Sequence, residues 1–142
     1  MVIDTSALIA VLTGEPDAER YEGAIDRDAK RLMSVASVLE TVMVLESRYG
    51  EEGPRELDVL LRRLPIEAVP VDCDQLEWAR YACRVYGKGR HPAALNFGDC
   101  FSYALARVTG ELLLYKGADF ARTDIGSALE GQSLPGTGLR TG

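Results

Sequence analysis

The order of apolar and polar positions divides the chain into short apolar runs separated by helical stretches. Met1 to Asp4 is an apolar run ending in an acid. Thr5 to Leu12 reads as a helix carrying Ala7, Leu8, Ala10, Val11 and Leu12, and Gly14-Glu15-Pro16 breaks it. Asp17 to Asp28 is predicted as a second helix with Asp17 at its N-cap. Arg31 to Ser34 fits a short strand. Val35 to Tyr49 has the clearest pattern, with Val35, Val38, Leu39, Val42, Leu45 and Tyr49 recurring at helical spacing until Gly50. A helix from Pro54 to Leu64 follows, with proline at its start and Pro65 at its end. Ile66 to Val71 is a strand candidate, and Asp72 to Tyr86 a helix with Leu76, Ala79, Cys83 and Tyr86 on one side. Gly87 to Leu95 is a loop, Asn96 to Thr109 a helix stopped by Gly110, and Leu112 to Tyr115 a buried strand. A loop over Ala118 to Thr123 and a short helix from Asp124 to Leu129 complete the pattern.

Short apolar strands alternating with helices predict an α/β fold, a three-layer sandwich with a mainly parallel central sheet flanked by helices. The length of 142 residues suits one domain. That domain is expected over residues 1–130. Residues 131–142, with four glycines and a proline, read as a frayed tail. In sheets of this kind, sites form beyond the carboxyl ends of the strands, so the residues that follow each strand carry the candidate chemistry.

Composition narrows the function classes. Lys and Arg number 16 against 22 Asp and Glu, a net charge of −6, which argues against a passive nucleic-acid coat protein. It leaves a nuclease open, because bound divalent cations offset local negative charge. No apolar run reaches the ~18 residues of a membrane span. The opening Met1-Val2-Ile3-Asp4 lacks the basic segment of a signal peptide, so a cytoplasmic location is expected. Cys73, Cys83 and Cys100 are far apart and form no C-x-x-C pair; they read as small, semi-buried side chains. Loops of the form G-x-x-x-x-G-K-[ST] and G-x-G-x-x-G are both absent.

Four acids occupy the informative positions. Asp4 ends the first strand and either caps the following helix or serves a site. Asp99 lies in the first turn of its helix, three residues after Asn96, and reads equally as half of a capping pair. Glu40 stands within the most apolar helix, where Ala36, Ser37, Met43 and Val44 are its neighbours one turn away. A carboxylate among such side chains is costly unless it is paired or metal-bound. Asp119 in Lys116-Gly117-Ala118-Asp119 is a turn residue or a site residue, with Asp124 a nearby alternative. Converging carboxylates repel one another, and a hard divalent cation, Mg2+ or Mn2+, relieves that repulsion. The chemistry this suggests is metal-assisted phosphodiester hydrolysis.

Taken in order, Val2-Ile3-Asp4-Thr5-Ser6-Ala7-Leu8, Ser37-Val38-Leu39-Glu40, Asn96-Phe97-Gly98-Asp99-Cys100 and Leu113-Leu114-Tyr115-Lys116-Gly117-Ala118-Asp119-Phe120, followed by Thr123-Asp124-Ile125, resemble the PIN-domain ribonucleases, and within them the VapC toxin branch. The resemblance spans roughly residues 1–130. It implies that Asp4, Glu40, Asp99 and Asp119 are both the catalytic and the metal-binding residues, holding Mg2+ or Mn2+. It also implies cleavage of single-stranded or looped RNA, transfer or ribosomal RNA being typical targets, with arrest of translation. The implied partners are a VapB-like antitoxin, often with a basic arm that enters the acidic pocket, and a second copy of the chain in a homodimer. The implied alternative is a catalytically silent PIN-like module that binds RNA or protein.

Thr5 and Ser6 suit a supporting role, orienting Asp4 or a metal-bound water. Arg84, Lys88, Arg90 and His91 precede the Asp99 helix and are candidate contacts to the RNA backbone. Lys116 is either a phosphate contact or the partner of an acid. Tyr86, Phe97 and Tyr103 are candidates for stacking on unpaired bases. His91 is the single histidine, and metal-assisted hydrolysis has no need of it. Two rival phosphoryl-transfer architectures fit less well. A receiver domain needs an acidic pair near Asp4, which is missing, and a D-x-D phosphatase needs an acid where Ser6 stands.

Overall fold

The computed structural model describes residues 1–129. Strands β1 (Val2–Ile3), β2 (Leu32–Ser34), β3 (Glu67–Val69) and β4 (Leu113–Leu114) form one parallel sheet in the order β3-β2-β1-β4. A pair of helices makes each crossover: α1 (Thr5–Leu12) with α2 (Ala18–Arg27), α3 (Val35–Tyr49) with α4 (Glu52–Arg63), and α5 (Cys73–Tyr86) with α6 (Phe97–Thr109). The first two crossovers step outward from β1 to β3. The third returns to the other side of β1, so the strand order reverses between β1 and β4. The expected three-layer α/β sandwich is therefore present. The tail expected at 131–142 lies outside the described residues.

The layers follow from the two-residue alternation of strands. Val2 pairs with Leu32 and Leu113, and all three join Ala82, Tyr103 and Leu105 in one core, beneath α5 and α6. Met1, Ile3, Met33 and Leu114 join Leu8, Ile25, Leu57 and Leu60 in the other, beneath α1, α2 and α4. β3 is the exposed edge; it is only three residues long and begins with Glu67, which limits its use as a template for another strand.

Helix starts are chemically specified. Asp4, Ser34, Asp72 and Asn96 each accept a backbone N–H of the helix that follows, an arrangement worth ~1 kcal/mol per cap. Asp17 is the exception to expectation. It precedes α2, yet its carboxylate caps nothing and accepts Lys116 Nζ at 2.9 Å instead, the charged donor winning over a backbone amide. The short helix expected over 124–129 is also replaced. A 3-10 turn forms earlier, at Phe120–Arg122, and the later segment runs alongside β4. There Leu113 N–H donates to Gly126 O at 2.9 Å, and Ala128 N–H to Leu113 O at 2.8 Å. Those bonds use the free edge of β4 and draw the segment out of helical geometry. Of the cysteines, only Cys100 is buried; Cys73 and Cys83 are exposed.

The α3–α4 turn depends on one close approach. A Cβ on Gly53 would lie 2.7 Å from Leu45 Cβ and 2.8 Å from Leu45 O, so the two helices pack through bare backbone. Gly53→Ala is expected to destabilise the fold by about 1–3 kcal/mol through overpacking. Urea denaturation followed by circular dichroism measures this, and a midpoint equal to wild type would contradict the packing account.

Candidate active site

Asp4 is the anchor of the site. It leaves β1 at the strand-order reversal and is 3% exposed. Its Oδ2 accepts Ser6 N at 3.0 Å and Ser6 Oγ at 2.6 Å, and its Oδ1 accepts Ser102 Oγ at 2.5 Å. Ser6 Oγ in turn accepts Lys116 N at 3.0 Å, which ties the end of β4 to the same carboxylate. Ser102 was not singled out from the sequence. It lies three residues after Asp99, on the same face of α6, and that spacing was the available signal. Ser102 Oγ also lies 3.2 Å from Ser37 Oγ, linking α6 to α3.

Glu40 projects from α3 toward the first turn of α6. Burial is the main reason its carboxyl is harder to ionise than usual; a hydrogen bond from Thr5 opposes that, and the Asp4 charge adds to it. The Thr5 hydroxyl also faces the Ser37 carbonyl at 3.2 Å. Glu40 reaches this position because residue 98 is glycine. A Cβ there would come within 1.9 Å of Glu40 Oε2 and 2.6 Å of its carboxyl carbon.

Asp99 serves two ends at once. Its Oδ2 accepts Asn96 N at 3.0 Å while Asn96 Oδ1 accepts Asp99 N at 2.9 Å, a reciprocal capping box. Both sequence readings of this residue thus have a physical basis. Its carboxyl is pushed up to about 7, first by burial, then by the charges of Asp4, Asp119 and Glu40, with the Asn96 amide opposing the rise. Asp119 is exposed in the loop after β4 and acts on Asp99 through its charge. Asp124 is differently engaged, accepting Tyr103 OH at 2.7 Å and Arg107 Nη1 at 3.1 Å.

The candidate cations are scattered. Lys116 Nζ is taken up by Glu15 and Asp17, the second of its two expected uses. Arg84 lies over the Tyr81 ring, 5.8 Å from its centroid, on the Trp78 side of α5, apart from Lys88 and Arg90. His91 Nδ1 accepts Ala93 N at 3.0 Å and its ring meets Tyr86 edge-on, so it shapes its loop. Tyr103 is fully buried and holds Asp124, which removes it as a stacking surface. Phe97 is 82% exposed and keeps that capacity.

The donor set fits a hard divalent cation: carboxylate oxygens only, mutually repelling, with one acid holding its proton to near neutrality. Among the described residues, no three of these groups close into a coordination set as they stand.

Two expectations follow. The folded chain holds a proton on Asp99 up to about pH 7, whereas the unfolded chain releases it near 3.8. The contribution of this group to stability is therefore present at acid pH and lost as pH climbs toward 7. Asp99→Asn should raise Tm by about 3 °C or more at pH 8 in EDTA, with a smaller gain at pH 5. Equal Tm shifts at both pH values would refute the burial of this charge. Gly98→Ala should leave Tm near wild type, because it pushes only the flexible end of Glu40, and should return the Glu40 carboxyl toward its ordinary titration range. Carboxyl-carbon NMR titration reads this, and an unmoved Glu40 would contradict it.

The chain matches the PIN domain family over residues 1–126. It is 60% identical over 125 residues to Ribonuclease VapC30 of Mycobacterium tuberculosis, spanning 88% of this chain and 95% of that one. It is 62% identical over 125 residues to Ribonuclease VapC of Mycolicibacterium smegmatis, spanning 88% and 97%. In structure it is similar to Mycobacterium tuberculosis VapC20, described as a sarcin–ricin loop cleaving toxin, with a TM-score of 0.68 and 21% identity over 87% of this chain and 95% of that one. At that identity the likeness supports the fold. Its sequence relatives and its matched domain together establish that the chain belongs to the PIN-domain family, in the VapC ribonuclease branch.

Proposed function

We propose that this protein is a metal-dependent endoribonuclease that hydrolyses RNA phosphodiester bonds and acts as the toxin of a toxin–antitoxin pair, inhibiting translation. The observation that supports this reading is the environment of Asp99, whose carboxyl is pushed up to about 7 first by burial and then by the charges of Asp4, Asp119 and Glu40, near the reversal of strand order. The high identity to VapC ribonucleases supports it. The nuclease domain is assigned to residues 1–130.

In this reading the four carboxylates hold Mg2+, with Mn2+ as the alternative. A bound divalent ion supplies Lewis acidity toward a phosphoryl oxygen and lowers the pKa of a bound water. The chain's own residues do the positioning. Ser6 and Ser102 fix both oxygens of Asp4, leaving it one orientation. Thr5 steadies Glu40, and Gly98 leaves room for it. Asp99 exchanges its proton for the cation's charge, so cation affinity is expected to rise as pH passes through about 7. Lys88 and Arg90 receive the RNA backbone beside the acids, with Arg84 farther along α5; Lys116, engaged with Glu15 and Asp17, serves chiefly to hold the loop after β4.

The substrate class is an exposed RNA loop, in transfer or ribosomal RNA. The partners are a VapB-like antitoxin and a second copy of this chain, and the location is the cytoplasm. Exposed Val35, Leu39 and Met43 make one stripe along α3, and such a surface favours a protein partner. Among the described residues no helix is long and apolar enough to cross a membrane.

Purified protein with total cellular RNA is expected to give discrete fragments in Mg2+ or Mn2+ and none in EDTA. Asp4→Asn should abolish cleavage with the circular-dichroism spectrum retained, and Gly98→Ala should lower it by about 100-fold through misplacement of Glu40. Expression without antitoxin should slow growth for wild type and not for Asp4→Asn. Cleavage by Asp4→Asn at the wild-type rate would overturn the site, and equal toxicity of the two forms would overturn the toxin mechanism.

A further inference from the structure

A groove of about 490 Å³ runs between α5 and α6, and the residues at the start of α6 line one side of it. Its size falls in the ~300–1,000 Å³ range of small-ligand sites. Buried Ala79 and Leu95 form its base, and exposed Leu76 and Phe97 stand at its lips. The Phe97 ring is backed by Phe101, edge-on at 4.9 Å between centroids, which leaves its own face open.

Two features identify what the groove receives. Lys88 and Arg90 line it and are exposed, and neither side chain has an ion-pair or hydrogen-bond partner among the described residues. In a chain of net charge −6 they give this groove a locally positive rim, suited to an anion. The groove and the acidic site also share the first turn of α6. Asn96 and Phe97 line the groove, Gly98 packs beside the Glu40 carboxylate, and Asp99 Oδ2 accepts the Asn96 N–H at 3.0 Å. One residue of the groove wall, Asn96, is thus hydrogen-bonded directly to one of the candidate carboxylates.

We propose that this groove binds a nucleobase of single-stranded RNA next to the phosphodiester presented to the carboxylates. Phe97 stacks on the base, and Lys88 and Arg90 neutralise the adjoining phosphates. The proposal rests on the endoribonuclease reading above and adds a recognition element to it. An unpaired nucleotide combines a flat apolar face with a phosphate on either side, and an apolar slot with a cationic rim complements both parts. An acidic peptide would satisfy the cations and leave the Phe97 face unused.

The test measures binding separately from cleavage. A fluorescent oligouridine is titrated into Asp99→Asn protein in EDTA and followed by anisotropy. Adding Phe97→Ala should weaken binding about tenfold, and Phe97→Trp should keep it. Lys88→Ala and Arg90→Ala should each lower the slope of log Kd against log salt by about 1. A strand of abasic sugars should lose the dependence on Phe97. In a Cys73→Ser background, oligouridine should slow alkylation of Cys83, which is exposed in the groove wall. Phe97 is a surface residue, so its replacement leaves the core intact. Unchanged affinity on Phe97→Ala, or unchanged Cys83 reactivity, overturns the proposal. So does conversion of a dimer to a monomer by Phe97→Ala in light scattering, which would give the groove to a second copy of the chain. Wild type that cuts no RNA while binding still depends on Phe97 would remove the nuclease reading and keep the groove. Cleavage by Phe97→Ala with an unchanged KM would do the reverse.

Discussion

A buried carboxylate at the end of a central strand must be hydrogen-bonded on both oxygens or lose its charge. Asp4 meets that demand with Ser6 on one side and Ser102 on the other, and the two serines come from helices far apart along the chain, α1 and α6. Through Ser6 the carboxylate is tied to the backbone after β4, and through Ser102 and Ser37 to α6 and α3. The reversal of strand order, the junction of three helices and the centre of the site are thus held by one group. Few neutral side chains could replace it without leaving several donors unsatisfied.

The cost of this arrangement falls on Asp99. Asp4 is fully solvated by hydroxyls and an amide, while Asp99 has one amide partner and three acids for company. Its raised proton affinity reflects burial first, and then the negative charge of those neighbours. Under the proposed function, such a site trades stability of the protein for affinity toward a cation, a compromise common where function needs charge in a confined space. Gly98 belongs to the same compromise, because a side chain at that position would occupy the space of the Glu40 carboxylate.

The first turn of α6 is where structure and chemistry coincide. Asn96 starts the helix, Phe97 faces an apolar groove, Gly98 admits Glu40, and Asp99 both closes the capping box and joins the acids. Four consecutive residues therefore have four different neighbours. The capping box makes the turn rigid, so the spacing between groove and carboxylates is set by backbone geometry rather than by flexible side chains.

Local pattern was enough to find nearly every element. α1 and α3 have the limits that hydrophobic periodicity and glycine or proline stops indicate, and the four capping residues are short polar side chains just ahead of apolar runs. The parallel sheet was legible because short apolar strands alternate with helices, and the acids were legible because Asp4 and Asp119 follow strands, Glu40 interrupts an apolar face and Asp99 stands in the first turn of its helix. What the sequence could not reveal depends on partners distant along the chain. Ser102 is an unremarkable helical serine until α6 is laid against β1. Lys116 and Asp17 are a free cation and a helix cap until the fold brings them to 2.9 Å. Tyr103 is as aromatic as Phe97, and only packing buries the first and exposes the second. Residues 124–129 were expected to be helical, and the open edge of β4 pairs with them at Ser127 instead. The sequence by itself determined the elements, their order and the acidic residue types, because caps, breakers and periodicity act over a few residues. Tertiary structure decided which charges meet, which are neutralised and which aromatic remains free, because burial and Coulomb interaction depend on distance in space.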